Sequence, residues 1–130
     1  MKAIATRFFA TGAIFALCGM VWGIIMSATH DHTLSPAHGH LNLIGFVVMT
    51  VSGTFYALSP AAAASKLAGL HYWLSLAAVL AIVPGIVMAI SGSGETLAKI
   101  GSVLTLTAMA LFAFQVVQHG VGGGTLKQTS

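Results

Sequence analysis

The stretch Ser35-Pro36-Ala37-His38-Gly39-His40-Leu41-Asn42-Leu43 decides the reading of this chain, because it sets two histidines at the mouth of a strongly apolar run. Ser35 is suited to cap orphan amides, and Pro36 suits the first helical position, where its missing N–H would have had no partner. The helix is therefore expected to start near Pro36. His38 then falls in its first turn, and two steps of ~100° carry His40 roughly 200° round the axis. The rings point to nearly opposite flanks. One regular helix does not close both on a single ion, but it offers one ligand to each of two sites, which suits a ring of helices.

The surrounding composition sets the medium. Of 130 residues, 57% are hydrophobic and 5% charged, against roughly 25% charged in an ordinary soluble domain. This is a membrane protein. Four apolar runs, at 8–28, 38–58, 67–90 and 98–118, each approach the ~20 residues that cross a ~30 Å hydrocarbon layer. An all-α, four-helix transmembrane bundle forming a single membrane domain is expected. There is no room for a soluble catalytic domain, so any chemistry lies between helices or at their ends. The formal charge of +3 comes from few groups and implies no nucleic-acid partner.

Charge placement gives the orientation. Lys2 and Arg7 lie at the start of the chain, Lys66 in the second connection and Lys127 in the tail, whereas the first connection has no Lys or Arg. The positive-inside rule then places both termini in the cytoplasm of a bacterial inner membrane, with only Lys99 opposing. The first run resembles a signal peptide, but it exceeds a 7–15-residue h-region and reads as a retained span. Its Gly12, Gly19 and Gly23 let another helix approach closely. Cys18 reads as a small buried packing residue.

Further along, His30, Asp31 and His32 are acceptable ligands for a divalent ion, or a plain solvated loop. Asn42 falls one turn beyond His38, and an amide beside two imidazoles favours protein, water or a cofactor over lipid. Ser59-Pro60 repeats the Ser-Pro start signal and opens a short turn. Tyr72 and Trp73 read as headgroup anchors, with His71 at their depth. Pro84 with Gly85 is expected to kink the third span. Glu95 is expected to be solvated, His119 shares the level of His71, and residues 120–130 read as a flexible tail.

Two stretches resemble a known family. Ala37-His38-Gly39-His40-Leu41-Asn42-Leu43 resembles the haem-ligating helices of the large subunit of haem-copper oxidases and nitric oxide reductases. Leu70-His71-Tyr72-Trp73 with Pro84 is similar to that family's next helix, which opens on a His-Phe-Trp type motif. The family's subunit has twelve spans in three units of four, and this chain has the length of one unit. The resemblance therefore implies a homotrimer that mimics the twelve-helix core, with haem b held between His38 of one protomer and His40 of its neighbour. Matching Ala-His-Gly and matching His-x-Asn-Leu select different histidines, so the assignment of each stays open.

The family's His-His pair and His-Pro-Glu motif, which hold copper or non-haem iron, are missing here. An iron with two imidazoles has no open position and suits electron transfer. The leading expectation is electron transfer between a donor and an acceptor that the sequence does not name. The alternatives are a copper- or zinc-binding membrane protein using His30, Asp31, His32 and His38, and a non-catalytic structural subunit.

Overall fold

The computed structural model describes residues 3–124, and among them every regular element is helical. Four helices are long and apolar enough to cross a membrane: α1 (Ile4–Thr29), α2 (Ser35–Leu58), α4 (Lys66–Ile90) and α5 (Thr96–His119). A short helix, α3 (Pro60–Ala64), joins α2 to α4. Each long helix begins or ends within a few residues of the run expected from hydropathy. The end of the bundle holding α3 is called here the α3 end, and the opposite one, with the turns around Asp31 and Glu95, the loop end.

The helices follow one another round an arc. α1 lies against α2, the first turns of α2 lie against α4, and α4 makes its most extensive contact with α5. Glycines set the spacing. A Cβ on Gly101 would stand 2.6 Å from the Ile82 Cα, and one on Gly85 2.5 Å from the Ala98 nitrogen, so α4 and α5 meet backbone to backbone. On the other seam, Gly12 of α1 faces Thr50 and Met49, while Gly45 of α2 faces Phe15. Such close approach replaces the hydrophobic drive that helices lack in lipid.

The core sits at the α3 end, where Phe8, Met49, Phe55, Tyr56, Ala62, Ala68 and Tyr72 are buried together. Phe8 stacks on Tyr56 and meets Tyr72 edge-on. Outward faces are apolar, with Leu17, Met20 and Ile24 on α1 and Val103, Leu106 and Val117 on α5 all more than 60% exposed, which suits a lipid environment.

Several local expectations are corrected. α2 starts at Ser35, with Leu34 at its cap position and no side-chain cap, because Pro36 removes one amide that a cap would have served. Cys18 is exposed, since it lies on the outward face of α1. Tyr72 is buried rather than at a lipid surface, and its hydroxyl shares a 2.7 Å hydrogen bond with Thr11. The tail does not leave freely: Ala61 donates to the Gly123 carbonyl and Gly122 to the Ser59 hydroxyl, which ties 120–124 to α3, while 125–130 lie outside the described residues.

Candidate functional site

Both histidines of the opening stretch lie in regular α-helix, Ser35–His40, and a π-helical segment, Leu41–Val47, follows at once. The rings diverge. His38 turns to α1, its Nε2 donating to the Gly19 carbonyl at 2.9 Å with Trp22 edge-on to the ring. Because that nitrogen carries the hydrogen, Asn42 Nδ2 at 3.4 Å holds the ring by contact. Gly19 and Gly23 make room: a Cβ on Gly19 would overlap Asn42 Oδ1, and one on Gly23 would lie 3.3 Å from His38 Nε2. A shallow groove of about 340 Å³ lies over this contact, lined by Gly19, Met20, Gly23, His38, Asn42 and Phe46.

His40 faces the other way, into a cavity of about 490 Å³ between α2, α4 and α5. Its Nδ1 lies 2.7 Å from the Pro36 carbonyl, which only accepts, so Nδ1 carries the hydrogen. The lone pair is then on Nε2, the arrangement that suits an imidazole for metal ligation. Most of the cavity wall is apolar, with Leu43, Ile44, Val48, Ala78, Ile82, Ala108 and Met109, and His71, Ser75, Ser102 and Thr105 are its other polar residues. Leu43, Leu106 and Met109 on its rim are 56%, 72% and 43% exposed, so its mouth opens on the lipid-facing side.

The same cavity reaches His71. His71 opens α4 at the α3 end whereas His40 opens α2 at the loop end, so the two imidazoles stand at opposite ends. On the cavity wall of α4, His71 and Ile82 are three turns apart, roughly 16 Å. His71 is 1% exposed, lies between Phe8 and Phe112, and its Nδ1 is 2.8 Å from the Tyr56 hydroxyl. Gln115 Nε2 donates to that hydroxyl at 3.3 Å and to Ser65 Oγ at 2.8 Å.

His119 sits at the end of α5 and is not joined to His71 by any hydrogen bond among the described residues; Gln115, one turn earlier, reaches the Tyr56 hydroxyl that bonds His71. Tyr56, Gln115 and Ser75 were not singled out from sequence. The Gln115 amide in the last turns of an otherwise apolar helix was the available signal, because lipid cannot satisfy it.

At the loop end, His30, Asp31 and His32 are all exposed. Asp31 Oδ1 accepts from the Thr33 hydroxyl at 2.6 Å and the Thr33 amide at 3.0 Å, and these bonds hold its carboxyl below its ordinary value. His30 takes a left-handed conformation, φ 56°, that turns the chain out of α1. Among the described residues, no group of three or more His, Cys, Asp or Glu side chains is arranged to hold a metal ion. Comparison with protein-family models, curated proteins and solved structures finds no match for the chain.

Proposed function

We propose that this chain is a membrane haem b protein that carries electrons, with His40 as one iron ligand and His38 of a neighbouring copy as the other. The observation that carries the reading is the hydrogen-bonded state of His40: Nδ1–H is held by the Pro36 carbonyl, and Nε2 is left basic at the wall of an apolar cavity. A volume of about 490 Å³ falls within the ~300–1,000 Å³ of cofactor sites, and a mostly apolar wall with few polar groups is the usual lining. His40 fits the group directly. His38 fits after exchanging its bond to the Gly19 carbonyl for the iron, a carbonyl that the outer groove leaves close to solvent or to a second copy.

A second copy is required because the other imidazole on the same cavity, His71, lies too far along α4 to meet the iron on His40. Divergent rings on one helix then imply a closed ring of copies, and a homotrimer gives three equivalent sites. The resemblance of the Ala37–Leu43 stretch to haem-copper oxidase helices points the same way. Bound haem supplies a one-electron iron couple whose potential depends on its ligands and burial. The chain's own part is to hold the imidazoles, keep water from the cavity and fix the proton on His40 Nδ1. Copper or zinc binding by His30, Asp31 and His32 is the weaker reading, because Asp31 Oδ1 is engaged by Thr33 and no group of three such ligands among the described residues is arranged around one ion.

An absorption spectrum taken with the particle mass tests the proposal. Protein extracted with its pigment, or loaded with haemin, is expected to give the sharp reduced bands of paired imidazoles and a three-chain particle. His40→Ala should abolish the pigment, and His38→Ala should leave a high-spin spectrum. A protein that stays colourless after loading, or a pigmented single-chain particle, overturns it.

A further inference from the structure

We infer that the His71 end of the cavity binds the carbonyl end of a lipid-soluble quinone, through hydrogen bonds donated by the His71 Nε2–H and the Ser75 hydroxyl. The proton positions follow from the buried chain of partners. Gln115 Nε2 donates to Ser65 and to Tyr56, which leaves the Tyr56 O–H to donate to His71 Nδ1. The imidazole hydrogen is therefore on Nε2. Turning the Gln115 amide round would put its two N–H groups where Oε1 now lies buried without a partner. Orphaned donors are rarer than underused carbonyl oxygens, so the first orientation holds.

Nε2–H has no acceptor among the described residues, although His71 is 1% exposed. Ser75, one turn further along the same face, is 5% exposed, lines the cavity and makes no hydrogen bond among the described residues. Its neighbours across the cavity differ: Ser102 and Thr105 return their hydroxyls to the Ala98 and Gly101 carbonyls of their own helix. Two buried donors thus converge on one end of an apolar space. Leaving a buried donor unpaired is unfavourable, and a ligand that accepts removes the penalty.

The occupant follows from these groups. A carbonyl oxygen has two lone pairs and matches two donors. Among the described residues no Lys or Arg lines the cavity to neutralise an anion, and the mouth among Leu43, Leu106 and Met109 admits a molecule from the bilayer. The choice of a quinone among lipid-soluble carbonyl compounds rests on the electron-carrying reading above, whereas the carbonyl site itself rests on His71 and Ser75 alone.

The test is equilibrium dialysis of a short-chain benzoquinone against the full-length protein in nanodiscs, with haem loaded and with haem withheld. Saturable binding is expected with haem withheld, and weaker binding with haem loaded, because both ligands draw on the same cavity of about 490 Å³. Ser75→Ala should weaken it about fivefold and His71→Phe, which keeps the aromatic packing, at least tenfold. Leu106→Trp, at the rim, should obstruct entry while leaving the fold intact. The fully reduced quinol should bind more weakly than the quinone. Non-saturable uptake, or binding unchanged in both Ser75→Ala and His71→Phe, overturns the inference. Saturable, His71-dependent binding to a protein that never takes up pigment removes the haem reading and leaves this site standing; pigment without such binding does the reverse.

Discussion

Single side chains here differ by where their hydrogens sit. His38 and His40 are separated by one residue, yet His38 has its Nε2 engaged by Gly19 and His40 has its Nε2 free, because each ring meets a different carbonyl. Tyr72 shows the value of one buried bond: Tyr72→Phe removes its link to Thr11 and should cost about 0.5–1.5 kcal/mol, read as a lower midpoint of thermal unfolding in detergent. Asp31 gives a pH signature with a definite sign. Its carboxyl is held below 3.8, first by the Thr33 hydroxyl and then by the Thr33 amide, so its contribution is complete above the ordinary carboxylate value and is lost only as pH falls through the depressed one. The Thr33 amide resonance should stay constant from neutral pH down to the ordinary range and shift below 3.8.

At the scale of elements, α2 is the most informative. Its α-helical start presents the two histidines at the angle that regular geometry dictates, and its π-helical segment, Leu41–Val47, then widens the turn. π-helical turns recur at functional sites. Leu43 and Ile44 within the segment and Val48 just after it complete the cavity wall, while Asn42, also within it, stays against His38. The α4–α5 seam depends on the absence of side chains at Gly85 and Gly101. Gly101→Val would drive branched carbon into the Ile82 backbone and should destabilise by about 1–3 kcal/mol or more, measured by unfolding in mixed micelles. Gly39, beside which nothing lies within 4 Å, should accept alanine without loss at that seam.

The whole molecule is an arc of four apolar helices with its cavity opening on the lipid-facing side. Its exposed leucines, valines and isoleucines have no aqueous explanation, so the protein should remain in the membrane fraction after alkaline washing. The positive-inside rule predicts that the Asp31 turn faces outward. Thr33→Cys, made together with Cys18→Ser to remove the one native thiol, should react with an impermeant reagent added to intact cells. Labelling restricted to opened cells would reverse the orientation.

The sequence by itself determined the medium, the four spans and the divergence of His38 and His40, because hydropathy, length and the ~100° step act locally and need no partner. Even Asn42 beside His38 was legible, being one turn away on one helix. Tertiary structure alone decided the rest. That His40 shares a cavity with His71, that Tyr72 faces Thr11 instead of lipid, and that Gln115 and Tyr56 govern the hydrogen on His71 all depend on which helix lies beside which. Nearly uniform apolar helices carry little record of their neighbours, since lipid and a packed helix both accept the same leucines and alanines; only glycines and isolated polar groups mark a contact, and they do so without naming the partner.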